Sequence, residues 1–240
     1  MSLEGRTAVV TGAAQGLGEA IARALHARGA SVVIADVNDD GAARVAASLG
    51  ERARAAHVDV RDRAAVGRML DEAGRVDVLV NNAARTLFTP LFEIHPEEWD
   101  DVLATNLRGV FYGCQLAGPR MREQGWGRIL NMASIAGQAG GAAGAHYAAS
   151  KAGIVVLTKI VAAELAPHGV TCNALAPAAV RTPVFDELPG ERLEALRQHI
   201  PVGRFGEPAE IAELAAFLCS EEAGYITGAT FDANGGLLMR

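Results

Sequence analysis

Short runs of β-branched and apolar residues alternate along the chain with longer Ala-rich stretches whose apolar positions recur at helical spacing. The short runs predict strands at residues 7–11, 31–36, 54–60, 76–80, 128–132, 170–175 and 229–232. The longer stretches predict helices at residues 16–28, 38–49, 63–73, 96–122, 147–166 and 208–220. Because the strands are apolar on both faces and alternate with helices, they indicate a parallel sheet that is covered on both sides.

Parallel strands joined by right-handed crossovers form a doubly wound sheet of the Rossmann type, with helices on both faces. The pattern predicts about seven strands in a single α/β domain that spans residues 1–240, because no linker, low-complexity tract or repeat interrupts it. Ligands of such sheets bind outside the carboxyl ends of the strands. Functional residues are therefore expected in the segments that directly follow the strands.

The composition excludes several classes of protein. Half of the 240 residues are apolar and 21% are charged, which is ordinary for a globular chain. The net charge of −6, without any Lys/Arg-rich run, argues against a nucleic-acid partner. No apolar stretch reaches the ~18 residues of a membrane span, and the first residues lack the pattern of a signal peptide. We therefore expect a cytoplasmic protein that binds neither nucleic acid nor membrane.

The cysteine and histidine residues predict no disulfide and no metal site. Cys114, Cys172 and Cys219 are odd in number, far apart and set among apolar residues, so we interpret them as buried thiols of a reducing compartment. The six histidines are scattered without the spacing of metal ligands.

The first predicted strand leads directly into a glycine-rich turn and a helix. Gly12 permits a tight turn, Gly16 lets the backbone approach a pyrophosphate, and Gly18 lets the helix pack close to the strand. The N-terminus of the helix offers free N–H groups to phosphates. A glycine triplet alone is weak evidence, because a tight turn without a ligand has the same pattern.

An acidic residue ends the second predicted strand. Asp36 stands where a carboxylate can accept hydrogen bonds from the adenosine ribose of a dinucleotide. Asp36 alone is equally compatible with a cap of the next turn. The order of strand, glycine turn, helix, strand and acid favours a dinucleotide site over both alternatives.

Tyr147, Lys151 and Ser134 form the candidate catalytic group. Tyr147 and Lys151 lie four residues apart on one predicted helix and so project from one face, although most exposed Tyr–Lys pairs at this spacing have no function. A tyrosine with a pKa of ~10 is a poor base at neutral pH, and a nearby ammonium group lowers that pKa. Ser134 follows the fifth strand, where its hydroxyl can bind a substrate oxygen.

In these residues the chain resembles the short-chain dehydrogenase/reductase family over essentially its whole length. The glycine turn, Ser134 and the Tyr-x-x-x-Lys pair match the motifs of that family at the usual spacing. Further matches are Asp59, Asn81-Asn82-Ala83-Ala84, Asn106, the segment from Asn173 to Thr182, Ile226-Thr227-Gly228 and Asn234-Gly235-Gly236. All of these motifs in the family's order make the resemblance highly specific.

The resemblance implies a nicotinamide cofactor and a set of site residues. The residues expected to bind the cofactor are Gly12, Gln15, Gly16, Leu17, Gly18, Asp36, Asp59, Val60, Asn82, Ala83, Tyr147, Lys151, Pro177, Val180 and Thr182. The residues expected to be catalytic are Asn106, Ser134, Tyr147 and Lys151. In oxidation, Tyr147 accepts the alcohol proton and Ser134 orients the substrate oxygen. Lys151 binds the nicotinamide ribose, lowers the pKa of Tyr147 and relays the proton through water held by Asn106.

The charge at the end of the second strand predicts NAD as the cofactor. Asp36 repels the 2′-phosphate that distinguishes NADP from NAD. The loop position is Gln15, and Val37, Asn38, Asp39 and Asp40 follow the acid, so no neighbouring cation compensates. Ala84 and Ala178 depart from the family, which has glycine at both positions; each adds a methyl group that bears on the loop geometry.

The predicted function is hydride transfer between NAD(H) and a secondary alcohol or ketone. One alternative is a 3-oxoacyl-acyl-carrier-protein reductase, which the chain also resembles. Such reductases usually carry arginines where this chain has Gln124-Gly125-Trp126 and Ala166-Pro167-His168, and Arg128 is expected to be committed to the start of its strand. A second alternative is a non-catalytic nucleotide sensor on the same fold, which the intact catalytic set disfavours.

The substrate and the assembly are also predicted. Pocket walls are expected at residues 87–92, 138–145 and 184–196, with a substrate loop at about 183–200. Small residues in the middle segment, beside Phe88, Phe92, Phe185 and Leu188, predict an open apolar pocket for cyclic, aryl or alkyl ketones. Helices 96–122 and 147–166 carry surplus apolar residues, and in the family they form a dimerising bundle, so a homotetramer is expected.

Overall fold

Seven parallel strands form one sheet in the computed structural model, which describes residues 1–140, 143–183 and 190–239. The strands are β1 (Thr7–Thr11), β2 (Ser31–Asp36), β3 (Ala53–His57), β4 (Val78–Asn81), β5 (Gly127–Met132), β6 (Val170–Pro177) and β7 (Thr230–Ala233). Their spatial order is β3-β2-β1-β4-β5-β6-β7, so the direction of winding reverses between β1 and β4. The predicted doubly wound α/β fold is therefore confirmed, and its ligand crevice is expected at that reversal.

Helices cover both faces of the sheet. They are α1 (Gly16–Ala27), α2 (Asp39–Leu49), α3 (Arg63–Ala73), α4 (Pro96–Leu103), α5 (Gly109–Gln124), α6 (Ala136–Ala139), α7 (Ala145–Leu165), α8 (Gly190–Gln198) and α9 (Pro208–Leu218). The apolar faces of α1, α2 and α9 pack with one side of the sheet, and those of α3, α5 and α7 pack with the other. Asn38 and Asp62 cap α2 and α3 by accepting hydrogen bonds from Gly41 and Ala64 N–H groups.

Several predicted boundaries are wrong, and three of these differences bear on the site. The third strand ends at His57 rather than residue 60, and the residues beyond it turn toward the cleft. The sixth strand continues to Pro177 because its last residues pair with β7. The predicted helix 96–122 is interrupted at Ala104–Arg108 by a π-helical segment and then runs on to Gln124. The pattern of the sequence does not predict α6 and α8.

Candidate active site

A cleft of about 1020 Å³ lies at the carboxyl ends of the strands, on both sides of the reversal between β1 and β4. The predicted site residues that line it are Gly12, Gln15, Gly16, Leu17, Asp36, Asp59, Val60, Asn82, Ala83, Ser134, Tyr147, Lys151, Pro177, Val180 and Thr182. Gly18 and Asn106 do not line it. The fold thus brings most of the predicted residues to one cleft.

The glycine turn has the conformation that its residues allow. Gly12 and Gly16 have φ values of 65° and 62°, in the left-handed region that favours glycine. Gly18 packs against the turn and does not line the cleft. A methyl group there would collide with the carbonyl oxygen of Gly12, so this close approach requires glycine. Asn82 fastens the turn to the loop after β4, since its Nδ2 donates to the Thr11 and Gly12 carbonyl oxygens at 3.0 and 2.9 Å.

Asp36 is held by backbone groups at the end of β2. Its Oδ2 accepts from the Ala14 N–H at 3.0 Å and its Oδ1 from the Asn38 N–H at 3.0 Å. A cation does reach this region, contrary to expectation. Arg44 on α2 donates from Nη2 to the Ala14 carbonyl oxygen at 2.9 Å, because the helix carries it back over the glycine turn.

Tyr147, Ser134 and Thr86 come together at the centre of the cleft. The Tyr147 hydroxyl is hydrogen-bonded to the hydroxyls of Ser134 and Thr86, and both bonds lower its pKa. Burial has the larger effect, so the pKa of Tyr147 lies above its ordinary value. The expected lowering of this pKa by Lys151 is not found. Thr86 was missed because nothing in the sequence near it signals a contact with α7.

Lys151 is buried beside Tyr147. Its Nζ lies 5.5 Å from the centroid of the Tyr147 ring and donates to the Met132 carbonyl oxygen at 2.6 Å. Burial lowers the pKa of Lys151 to about 8, because the charged ammonium loses its hydration. The side chain is therefore able to gain or lose a proton near neutral pH.

Asn106 holds the loop after β4 and does not face the cleft. It lies in the π-helical segment, an irregularity that often marks functional sites. Its Oδ1 accepts from the Arg85 N–H at 2.7 Å, and its Nδ2 donates to the Arg85 carbonyl oxygen at 3.0 Å and to Ser150 Oγ at 3.2 Å. Ser150 Oγ in turn donates to the Tyr147 carbonyl oxygen at 2.7 Å. The Asn106 amide is thus committed to positioning Arg85 and the first turn of α7.

His146 is a second residue whose place the sequence did not reveal. It is fully buried in the first turn of α7. Its Nδ1 accepts from the Tyr147 N–H at 2.8 Å, and its Nε2 lies 2.8 Å from Glu98 Oε1. Since Nδ1 is the acceptor, Nε2 carries the proton and donates to the carboxylate. The pair joins α4 to the start of the helix that carries Tyr147.

The substrate end of the cleft is lined mainly by small and apolar residues. They are Phe88, Ala136, Ala139, Gly140, Ala143, Ala195, Leu196, His199 and Leu237. Phe92 does not contribute, because its side chain is 99% exposed on the short 3₁₀ helix Leu91–Glu93. The predicted wall residues Phe185 and Leu188 lie outside the described residues, as does most of the predicted loop before residue 190.

The two alanines at family glycine positions fit the backbone. Among the described non-glycine residues only Ala179, with φ of 50°, has left-handed geometry. Ala84 and Ala178 therefore occupy conformations open to any residue. Within the described parts of the chain there is no group of three or more possible metal ligands and no helix suited to crossing a membrane.

Comparison with known proteins adds three findings. Residues 12–238 match the family model described as Enoyl-(Acyl carrier protein) reductase. Over all of both chains, the sequence is 41% identical to the 3-oxoacyl-[acyl-carrier-protein] reductase FabG of Vibrio cholerae and 39% identical to that of Escherichia coli. A crystal structure titled ribose-5-phosphate isomerase from Brucella melitensis superposes with a TM-score of 0.93 at 36% identity, covering 98% of this chain and 93% of that one. Since these names differ in activity, the shared fold does not determine the reaction.

Proposed function

The chain belongs to the short-chain dehydrogenase/reductase family of oxidoreductases, and on this basis we propose that it transfers hydride between NAD(H) and a secondary alcohol or ketone. The observation that carries the proposal is the meeting of Ser134, Tyr147 and Lys151 in one cleft beside a glycine turn. A non-catalytic nucleotide sensor needs the turn but has no need of this proton-exchanging group.

The glycine turn fits a dinucleotide. The side chain of Gln15, the N-cap residue, makes no capping hydrogen bond to α1, so the first N–H groups of this helix can bind an anion such as a pyrophosphate. Asp36 would hold the adenosine ribose, Asp59 and Val60 the adenine, and Pro177, Val180 and Thr182 the nicotinamide. The bound cofactor supplies the hydride acceptor or donor, and the protein supplies position and electrostatics.

Proton transfer is assigned to Tyr147. In oxidation its oxygen takes the proton of the alcohol, and in reduction its hydroxyl gives a proton to the ketone oxygen. Ser134 donates a hydrogen bond to that same substrate oxygen and so fixes its direction. Thr86 also bonds Tyr147, which holds the phenol ring at the mouth of the substrate end.

Lys151 serves as the partner that exchanges protons with Tyr147. Its pKa of about 8 allows it to gain or lose a proton at neutral to mildly alkaline pH. Because the pKa of Tyr147 stays above its ordinary value, Lys151 is proposed to exchange protons with Tyr147 and not to hold it as a phenolate. The side chain is the only lysine in the cleft lining described by the structure.

NAD is proposed over NADP. The Asp36 carboxylate is fixed by two backbone N–H groups, and it would face the 2′-phosphate of NADP with like charge. Arg44 acts in the opposite direction, because its guanidinium lies at Ala14, next to the same site. We expect the acid to outweigh the arginine, since Arg44 is already bonded to the turn.

The test compares kcat/KM for NAD and NADP in four proteins: wild type, Asp36→Ala, Arg44→Ala and the double variant. The wild type should prefer NAD by on the order of a hundredfold, and Asp36→Ala should lose most of that preference. Arg44→Ala should lower the use of NADP chiefly when Asp36 is already absent. Equal or better use of NADP by the wild type would contradict the proposal.

The substrate is proposed to be a small apolar ketone or its alcohol. The described part of the substrate end carries small and apolar groups, and His199 is its one imidazole. Arg128 is not available to an acidic carrier protein, because it is buried, donates to the Ser220 carbonyl oxygen at 3.0 Å and stacks 4.4 Å from the centre of the Trp126 ring.

A 3-oxoacyl thioester reductase is the second candidate, because the similar proteins of Vibrio cholerae and Escherichia coli bear that name. The two candidates are separated by assaying cyclic, aryl and alkyl alcohols with NAD beside an acetoacetyl thioester with NADH. Turnover of the simple alcohols supports the first candidate. Turnover confined to the thioester would transfer the assignment to the second.

A homotetramer is proposed as the assembled form. Phe111 on α5 and Val156 and Ile160 on α7 are 41%, 59% and 53% exposed and line one shallow groove. Apolar side chains grouped in this way are typical of a surface that pairs with a second copy. A stable species of 25 kDa in light scattering at micromolar concentration would contradict this.

A further inference from the structure

Four charged side chains link the loop after β3 to the loop after β4 through α4. They form an ion-pair chain in the order Asp59, Arg61, Asp101 and Arg85. Arg61 donates from Nε and Nη2 to the Asp59 carboxylate, the shorter contact being 2.7 Å, and from Nη1 to Asp101 Oδ1 at 2.7 Å. The other oxygen of Asp101 lies 2.7 Å from Arg85 Nη1. One carboxylate is thus shared by arginines of two separate loops.

The first end of the ion-pair chain lies in the adenosine part of the cleft. Asp59 and Arg61 both line the cleft, next to Val60. The hydrogen bonds from Arg61 lower the pKa of Asp59 and so keep this carboxyl ionised. An adenine that bonds to Asp59 must share it with Arg61, and a guanidinium released from Asp59 has Asp101 as its remaining partner.

The second end lies beside the proton-transfer group. Arg85 directly precedes Thr86, whose hydroxyl bonds to Tyr147. The Arg85 backbone is already held on both sides by Asn106, at 2.7 and 3.0 Å. Asp101 is the only acidic partner of the Arg85 side chain among the residues that the structure describes. The side chain of Asp101 therefore completes the anchoring of the residue next to Thr86.

Asp101 is better placed to connect the two loops than to stabilise the folded chain. Its side chain is 27% exposed, and ion pairs of this kind add little to the free energy of unfolding. A shared carboxylate nevertheless links the two loops, because a rotation of the Asp101 side chain that follows Arg61 also moves the oxygen that Arg85 contacts. Coupling between two sites is reciprocal. If a cofactor bound at the adenosine end favours one position of the loop that carries Thr86, then that position of the loop also favours cofactor binding.

We propose that Asp101 is a positioning residue that couples occupation of the adenosine end of the cleft to the placement of the loop carrying Thr86. The inference rests on the proposed function, because it assumes that an adenine nucleotide fills that end. Asp101 does not line the cleft, so it touches neither the substrate nor the cofactor. Its loss should weaken cofactor binding and lower kcat together while leaving the KM for the alcohol nearly unchanged.

The experiment compares Asp101→Asn with the conservative variant Asp101→Glu and with Asp71→Asn. Asp71 pairs with Arg120 at 2.6 Å between α3 and α5 and is absent from the cleft lining, so it controls for the loss of an ion pair as such. NADH binding is measured directly by fluorescence titration, and kcat is measured at saturating cofactor. Asp101→Asn should lower both about threefold to tenfold. Asp101→Glu and Asp71→Asn should stay within about twofold of wild type.

The outcomes separate this inference from the proposed function. If the wild type binds NADH and turns over, but Asp101→Asn equals it in affinity and kcat, the coupling is wrong and the proposed function stands. If the wild type binds no nicotinamide nucleotide, both are wrong. Should Asp101→Asn lose its folded circular dichroism spectrum, Arg85→Gln removes the same link from its other side. A wild-type affinity and kcat in Arg85→Gln would then overturn the coupling.

Discussion

Two buried polar clusters both include residues of α7 and residues in or just after β5, and only one of them opens into the cleft. The core amide cluster consists of Asn81, Asn131, Thr158, Cys114 and Cys172. The cleft cluster consists of Ser134, Tyr147, Lys151 and Thr86. Asn131 directly precedes Met132, which accepts the bond from Lys151, and Thr158 follows Lys151 by about two turns of α7. The same two elements therefore carry two very different environments.

The core amide cluster is closed and electrically neutral. Asn131 accepts from Asn81 Nδ2 at 2.8 Å and donates to Thr158 Oγ1 at 3.0 Å, while Thr158 donates to the Ile154 carbonyl oxygen at 2.8 Å. Sulfur atoms complete the set at longer range, with Cys172 Sγ at 3.5 Å from Asn131 Nδ2. A hydrogen bond with Cys114 and burial raise the pKa of Cys172, so the thiol stays protonated. Every member is satisfied within the protein.

The cleft cluster holds ionisable groups whose pKa values are moved by burial in opposite directions. Burial raises the pKa of Tyr147 and lowers that of Lys151, so both groups are shifted toward their neutral forms. Buried polar groups whose hydrogen bonds are all made within the protein hold the core rigid. Buried ionisable groups that line a cleft have shifted pKa values and are able to exchange protons with a bound molecule.

The largest expected effect is on the cleft cluster. Tyr147→Phe removes the proton-exchanging hydroxyl and should lower kcat by on the order of a thousandfold, about 4 kcal/mol in the barrier. NADH binding and Tm should change little, because only one oxygen atom is lost and the ring stays in place. The measurement is steady-state turnover beside a fluorescence titration. A variant that keeps more than about a few per cent of the wild-type rate would show that another group exchanges the proton.

The second prediction concerns the pH dependence of folding. Burial lowers the pKa of Lys151 from its ordinary value of 10.5 to about 8 in the folded chain, so between these values the unfolded chain binds more protons. Stability from this group therefore rises with pH across that window, by on the order of 2–3 kcal/mol at pH 10. Urea unfolding of wild type and Lys151→Met from about pH 7.5 to 10 checks it, because the variant should lack this slope.

The exposed Lys159 on the same helix provides the control for that measurement. Lys159→Met should keep the pH dependence of the wild type. The scan ends at about pH 10 because Tyr147 has the opposite effect on stability above that value. Its pKa is raised in the folded chain, so the unfolded tyrosine loses its proton first and the free energy of unfolding falls. A flat difference between wild type and Lys151→Met would mean that Lys151 stays hydrated.

The third prediction tests the core amide cluster. Asn131→Ala removes the acceptor of Asn81 Nδ2, which keeps only a long contact with Cys114 Sγ, and the donor to Thr158 Oγ1. It should cost about 2–3 kcal/mol of unfolding free energy. The kcat of the protein that remains folded should stay within about twofold, since no member of this cluster faces the cleft. Cys114→Ala is the matched control, with an expected cost of about 1 kcal/mol, because its contact with Asn131 is a weak one at 3.7 Å. A large loss of kcat in folded Asn131→Ala would erase the distinction between the two clusters.

The fold was predictable because its signals are local. The β-branched runs, the glycine turn and the four-residue spacing of Tyr147 and Lys151 are read from neighbours along the chain. Thr86 and Arg44 were not predictable, because their contacts are made by packing between elements that are distant in sequence. The prediction that the pKa of Tyr147 is lowered was wrong for a related reason, because the burial that raises it depends on the whole fold.

The ion-pair chain was also predicted only in part. Asp59 was found through a motif, but its partner Arg61 and the link through Asp101 to Arg85 require the position of α4. Asn106 was also found through its motif, while the bonds of its amide to Arg85 depend on a helix that departs from regular α geometry. Motifs therefore identify residues, and only packing assigns their partners.

The π-helical segment at Ala104–Arg108 is a place where the length of this chain can change in evolution. A π turn holds one residue more than an α turn within nearly the same rotation about the helix axis, so a one-residue deletion there would restore a regular helix. Val110, Cys114 and Ala117 would keep the face that packs on the sheet, whereas a deletion within α5 itself would rotate the residues that follow by about 100°. The residue that would lose its present surroundings is Asn106, which lies in the segment and holds Arg85.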